Sequence, residues 1–317
     1  MSGLGEQAVY LLNALTPVFP QNELLVEVMS DEQGHFEWEY SEGEAMLAEW
    51  DPPLDVAGRR VLDIGCGSGA KSLLYSRLGA AEVIGLEIDR RLVTRSAVRL
   101  AALAEVDDAA ARVRVVHGDA TRIPLACAAF DVVVSINSLE HILRPETALA
   151  ECARVLRPGG RAYFRFPPYW SAWGPHLERW VHFPWPHLLF SELTLIRAAN
   201  HLEEQMRLND RMPDFERLDL RGQTEFHHVN RLTMAQFDAA LSELPFRVLR
   251  ITMLPTGYKF LPRLASQWGA LGWAPRTGAH LLHALAHSHT GREVIATKAV
   301  VVLERTREDE PRGEAGG

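Results

Sequence analysis

Three glycines at alternate positions, Gly65, Gly67 and Gly69, close the segment Val61-Leu62-Asp63-Ile64-Gly65-Cys66-Gly67-Ser68-Gly69-Ala70. A turn without Cβ atoms lets a ligand approach the backbone, which side chains would otherwise block. Read through Gly65, Gly67 and Ala70, the spacing is G-x-G-x-x-A, a dinucleotide fingerprint. The bare alternative is a tight strand-to-helix turn with no ligand. The carboxylates around it sharpen the reading. Glu87 ends the next apolar run 22 positions after Gly65, where a carboxylate can accept both hydroxyls of a ribose. Asp63 would repel a pyrophosphate but not a zwitterionic or cationic ligand. His117-Gly118-Asp119-Ala120 adds a third acid after the third apolar run. Together these acids favour a ligand with an amino group, ribose hydroxyls and an adenine amine.

A second group is aromatic. Four of the eight tryptophans, Trp170, Trp173, Trp180 and Trp185, fall within sixteen residues, with His176 and His182 among them and Tyr169 and His187 just outside. Such a stretch is either a pocket wall or an aromatic core beneath a long loop. Its place directly after a strand, at the carboxyl edge of the sheet where open α/β folds bind ligands, favours the wall. We expect Tyr169, Trp170, Trp185 and His187 to line it. His141, after the fourth strand, and His176 and His228 are the candidate proton acceptors. His280, His283 and His287 share a helical face, but no acid joins them, so no metal is expected. Arg91, Arg95 and Arg99 read as a solvated helix face.

The elements that must hold these groups follow from periodicity. Short β-branched runs at Arg60–Ile64, Glu82–Leu86, Val113–His117, Phe130–Ile136 and Arg161–Phe166 alternate with helical patterns at Ala70–Leu78, Arg90–Glu105 and Thr147–Leu156. That alternation indicates βαβ units and a doubly wound parallel sheet. Phe246–Leu254 and Val294–Leu303 are two more candidate strands, and Thr233–Leu244 is a helix. We divide the chain into an N-terminal helical cap (1–57), a ligand-binding core (58–167), an aromatic and histidine-rich lid (168–232), and a distal helix with the last two strands (233–304). The last of these carries a second insertion (255–292), and a disordered charged tail (305–317) follows.

The chain has 317 residues, 47% of them apolar, with a formal charge of −8. This is ample for a core, and the acidic balance argues against nucleic acid or an anionic membrane as partner. Cys66, Cys127 and Cys152 have no metal or disulfide spacing. The opening residues carry no export signal and no run is long enough to span a bilayer, so a cytoplasmic protein is expected.

The motifs Val-Leu-Asp-Ile-Gly-Cys-Gly-Ser-Gly (61–69), Val-Ile-Gly-Leu-Glu-Ile-Asp (83–89), Gly-Asp-Ala (118–120), Phe-Asp-Val-Val-Val-Ser (130–135), Leu-Glu-His-Ile (139–142) and Arg-Val-Leu-Arg-Pro-Gly-Gly-Arg (154–161) stand in order. Over about Gly58 to Pro167 the sequence resembles the class I S-adenosylmethionine-dependent methyltransferases, especially the small-molecule branch that includes quinone-biosynthesis enzymes. The resemblance implies a Rossmann-like seven-stranded sheet, mostly parallel, with an antiparallel last strand. It implies that Asp63, Gly65 and Gly67 hold the methionine part, that Glu87 meets the ribose, that Asp119 and Ala120 meet the adenine, that Asn137 lies over the cofactor, and that Cys66, Gly69 and Ile88 also belong to the cofactor site. Glu87 stands where Asp is commoner. The expected activity is methyl transfer by in-line displacement to a small molecule, such as a natural product, quinone or sugar, with O-methylation and a histidine base favoured. The alternatives are a nicotinamide-dependent oxidoreductase or epimerase, opposed by Asp63 and Gly-Asp-Ala, and a non-catalytic S-adenosylmethionine-binding protein.

Overall fold

The computed structural model describes residues 3–16, 32–178, 180–208, 220–255, 292–294 and 296–307. The chain divides into two compact units, one of residues 36–166, 235–252 and 299–317, the other of residues 1–35, 167–234 and 253–298.

The first unit is built on a seven-stranded sheet. Its strands are β1 (Arg60–Ile64), β2 (Glu82–Glu87), β3 (Val113–His117), β4 (Phe130–Ile136), β5 (Leu156–Phe166), β6 (Phe246–Pro255) and β7 (Ala296–Arg305). Their order is β3-β2-β1-β4-β5-β7-β6. β1 to β5 pair in parallel, and β7 runs antiparallel to β5. Buried residues run almost unbroken along β1, β2 and β4, the pattern of strands covered on both faces. Phe164 and Phe166 of β5 close on Phe237 at centroid distances of 6.2 and 5.1 Å, and all three are buried. Removing one such ring costs roughly 3–5 kcal/mol.

The helices of this unit are α2 (Glu32–Met46, entering it at Phe36), α3 (Ala70–Arg77), α4 (Arg90–Leu103), α5 (Asp108–Ala111), α6 (Pro145–Val155) and α9 (Met234–Ser242, from Ala235). Asp89 starts α4 by accepting from the Arg91 N–H at 2.7 Å. Pro145 starts α6, where a missing N–H is harmless. β5 begins at Leu156, five residues before the sequence run suggested, because Leu156 already pairs with Phe130; residues 157–160 bulge out before Arg161 pairs with Val132, with Gly159 at φ +80°. The pairing shift between Phe130 and Val132 of β4 accommodates the bulge.

The second unit contains α1 (Leu4–Leu15), α7 (Pro186–Leu189) and α8 (Glu192–Leu208). Its core is Val9 of α1, Leu195, Ile196, Ala198 and Ala199 of α8, and Tyr169, Leu177, Trp180, Val181, Phe183, Phe226 and Val229 of the connecting segments. Asn13 stitches helix to loop: its Oδ1 accepts from the His182 N–H at 2.7 Å and its Nδ2 donates to the Trp180 carbonyl at 2.5 Å. Glu293, buried, accepts from the Trp170 and Met234 N–H groups at 3.0 Å each. Among the described residues no helix is long and apolar enough to cross a membrane. His280, His283 and His287, nearly all of the 255–292 insertion and most of the tail lie outside the described residues.

Candidate functional site

The glycine turn stands between β1 and α3. Gly65, Gly67 and Gly69 all take left-handed conformations, at φ of +70°, +52° and +83°, which side chains strain. Gly65 is constrained twice, since a Cβ there would lie 2.2 Å from Ser138 Oγ. The Gly65 and Cys66 N–H groups donate to the Leu86 carbonyl at 2.8 and 3.2 Å, tying the turn to β2. Behind it Cys66 is buried and fits Gly85, where a Cβ would come 2.6 Å from its Sγ. Burial, with Asp63 and Glu87 nearby, pushes the Cys66 thiol far up, so it stays protonated and inert.

The carboxylates surround this turn. Asp63, buried, accepts from Ser72 Oγ at 2.6 Å. Burial raises its pKa to about 6, against the lowering effects of Ser72 and Lys71. Glu87, also buried, accepts from the Gly67 N–H at 3.0 Å and the Asp89 N–H at 2.9 Å. Two carboxylate oxygens offer about four acceptor directions, so both hydroxyls of a ribose can still be accommodated. Glu87 pairs in register with His117, which brings Asp119 and Ala120 to the same edge. Asp119 Oδ1 accepts from the Thr121 N–H at 2.8 Å, Ala120 is buried, and Ile88 is 65% exposed.

Three further residues of this unit were not picked out from the sequence. Glu39 of α2 reaches the turn: Ser68 Oγ donates to its Oε2, and Lys71 Nζ donates to its Oε1 at 2.9 Å. Arg165, buried near the end of β5, forms a two-pronged pair with Glu49, Nε to Oε2 at 2.5 Å and Nη2 to Oε1 at 3.2 Å. Its Nη1 donates to Asn137 Oδ1 at 3.2 Å, and its carbonyl accepts from the Asn137 N–H at 2.7 Å. Asn137 is thereby held at φ +52°. A charge inside the apolar run Tyr163-Phe164-Arg165-Phe166 was the available signal, because buried arginine demands a partner. The partners themselves leave no local trace.

His141 closes a short 3-10 turn (Leu139–His141) in this unit, is exposed, and donates its N–H to the Ser138 carbonyl at 3.0 Å.

In the second unit, Tyr169, Trp170 and His187 come together. The His187 ring lies 5.1 Å from Tyr169 and 6.0 Å from Trp170, nearly parallel to the indole at 20°. Burial lowers the His187 pKa to about 4, so the imidazole is neutral at physiological pH. Tyr169 donates its hydroxyl to Glu192 Oε1 at 3.1 Å, and burial together with that carboxylate holds the phenol up to about 12. Glu192 Oε2 accepts from the Phe226 N–H at 2.9 Å and from Arg231 Nη2 at 2.7 Å. These donors outweigh its burial and keep its pKa below the usual range. Trp185 is engaged elsewhere, its Nε1 donating to the Val294 carbonyl at 2.7 Å. His176 has φ +53°, and His228 Nε2 donates to the carbonyl of the preceding Pro175 at 2.8 Å. Those two histidines share one loop system.

Comparison with known proteins now bears on this arrangement. Residues 62–164 match the family described as "Methyltransferase domain". The 27-O-demethylrifamycin SV methyltransferase of Amycolatopsis mediterranei (strain S699) is 41% identical over 105 residues, 33% of this chain and 37% of that protein. The ubiquinone biosynthesis O-methyltransferase of Xanthomonas oryzae pv. oryzae (strain PXO99A) is 37% identical over 110 residues, 35% and 44% of the two chains. The chain thus spans about two fifths of the length of these curated relatives. Among solved structures, the geranyl diphosphate C-methyltransferase of Streptomyces coelicolor A3(2) superposes with a TM-score of 0.50 at 14% identity, over 83% of this chain and 77% of that one. That likeness is one of fold.

Proposed function

We propose, from the match of residues 62–164 to the methyltransferase domain family, that the chain is a class I S-adenosylmethionine-dependent methyltransferase that methylates a small molecule. S-adenosylmethionine is the cofactor of this domain family. The residues here fit it. The turn is open where a backbone-hugging ligand must pass, the Gly67 N–H is oriented by Glu87, and Asp63 is a buried carboxylate whose ionised form is costly until a cation joins it. The last observation carries the reading, since a phosphate ligand would worsen that cost and an amino-acid ammonium relieves it.

Asp63 with Gly65 and Gly67 takes the methionine end, Glu87 the ribose, Asp119 and Ala120 the adenine, Asn137 lies over the cofactor, and Cys66, Gly69 and Ile88 complete the cofactor site. A sulfonium methyl is already activated, so the protein's task is alignment and exclusion of water. An alcohol or phenol acceptor must also lose a proton, and a histidine is the natural acceptor of it. His141, His176 and His228 are the candidates. His228 donates Nε2–H to the Pro175 carbonyl, which leaves Nδ1 as its proton-accepting nitrogen. Tyr169, Trp170, His187 and Trp185 make the acceptor lid, which suits a ring-bearing substrate. The names of the relatives, which act on a rifamycin and in ubiquinone biosynthesis, support an O-methyl product on a natural product or quinone. Three free thiols fit a reducing cytoplasm.

Calorimetry with S-adenosylmethionine, S-adenosylhomocysteine and NAD tests the cofactor half. We expect binding of the first two, and tighter binding of NAD than of S-adenosylhomocysteine would refute it. For the acceptor half, His176→Ala should lower turnover with cofactor affinity near normal, and unchanged turnover removes His176 from the reaction.

A further inference from the structure

We infer that Glu39, on a helix outside the matched domain, is a third cofactor-binding carboxylate and receives the α-ammonium of the amino-acid part. The inference rests on the cofactor reading above.

The geometry places Glu39 on the open side of the turn. A Cβ built on Gly67 would have Glu39 Oε1 as its neighbour, at 3.9 Å. Gly67 therefore sits between two carboxylates, Glu87 bonded to its N–H and Glu39 beyond its Cα. The space that the missing side chain leaves is bounded by an acid. Glu39 is also held: its side chain and that of Lys71 are each 16% exposed, and Ser68 and Lys71 fix its two oxygens.

The charge balance points the same way. Asp63, Glu87 and Glu39 gather three negative charges around one turn, against the single ammonium of Lys71. Glu39 and Glu87 each push the Asp63 pKa up, so without a ligand they oppose one another. Repelling carboxylates held in place by their own donors are balanced when a cation arrives. The ligand's ammonium is such a cation, and it belongs to the part of the ligand that must pass closest to the glycines.

A purely structural role predicts something different. If Glu39 only tethers α2 to the start of α3, an amide, with one acceptor oxygen for two donors, would disturb the turn for every ligand alike. A loss confined to the ligand that carries the ammonium distinguishes the two roles.

The test compares two ligands that share the nucleoside and the sulfur. S-adenosylhomocysteine carries the amino-acid group, and 5′-methylthioadenosine lacks it. By calorimetry on the full chain, Glu39→Gln should weaken S-adenosylhomocysteine about tenfold, the scale of one lost charge-assisted contact, and leave 5′-methylthioadenosine unchanged. Glu39→Asp, which keeps the charge but draws it back, should give a smaller loss, again confined to S-adenosylhomocysteine. Equal losses for both ligands, or none for either, would overturn the assignment. Wild-type protein that binds 5′-methylthioadenosine but not S-adenosylhomocysteine would overturn it as well. Wild-type protein that binds neither would refute the cofactor reading itself.

Discussion

Asp63→Asn should make the ligand-free protein more stable at neutral pH and less able to bind its cofactor. The carboxyl has an ordinary pKa of 3.8 and one of about 6 in the fold, burial being the main cause. For an acid raised in this way, the folded protein holds its proton over a range where the unfolded chain has released it. Stability therefore falls as pH rises from 3.8 to about 6, and stays lower above. At 1.36 kcal/mol for each tenfold step, the full cost is about 3 kcal/mol, of which roughly half falls between about pH 5 and 7.5. An amide removes this slope while still accepting from Ser72. Any fixed penalty for its two new N–H groups shifts the curve without tilting it, so the pH dependence isolates the charge. For a unit of this size 1 kcal/mol moves the melting temperature by about 2–4 °C. The difference between variant and wild type should thus widen by about 3–6 °C across that window. Ligand-free thermal melts or urea titrations at both pH values measure it. Affinity for S-adenosylhomocysteine should strengthen through about pH 6 in wild type only. A stability difference that stays constant with pH would refute the reasoning.

Three more expectations follow from the geometry. Gly65→Ala adds a Cβ against Ser138 at a positive φ. It should lose about 1–3 kcal/mol and most cofactor affinity, with Ser138→Gly restoring part of the melting temperature. Arg165→Met frees the Asn137 loop and strands Glu49, so S-adenosylhomocysteine should bind more weakly and the melting temperature should drop. Adding Glu49→Gln should recover stability but not affinity, because an unpaired charge costs more than an absent pair. His187 is a base whose pKa is lowered to about 4, so its burial contributes stability at neutral pH that is lost as pH falls from 6.5 toward 4. His187→Phe should flatten that acid limb, and an imidazole NMR signal titrating near its ordinary value would contradict the placement.

The sheet was readable because burial on both faces writes itself into consecutive residues. But for Asp63 and Ser135, Val61–Ile64, Val83–Leu86 and Val132–Ile136 are apolar for that reason, and the strands appear where those runs lie. The glycine turn was readable because φ near +70° is a local demand that only one residue type meets cheaply. The supporting cast was not. Glu39 acts on residues 29 and 32 positions away, and Glu49 on one 116 positions away. No period or spacing encodes such meetings, and a glutamate on a helix looks the same whether it faces water or a glycine. The start of β5 was hidden differently, by a Pro-Gly-Gly that usually ends an element and here lies inside one. In the aromatic stretch, ring types signalled a cluster, but only the fold separates Tyr169, Trp170 and His187, which meet, from Trp185, whose indole serves a backbone carbonyl.

The seating of Cys66 against Gly85 turns the turn into its own clock. The thiol is sealed and protonated while the turn is closed, whereas Cys127 is exposed. An alkylating reagent should mark Cys127 at once and Cys66 only during an opening of the glycine turn, so the ratio of the two rates reports how often that turn opens. Mass spectrometry of that ratio, with and without S-adenosylhomocysteine, would measure how firmly a ligand shuts the seat, on unmodified protein and without knowledge of the acceptor.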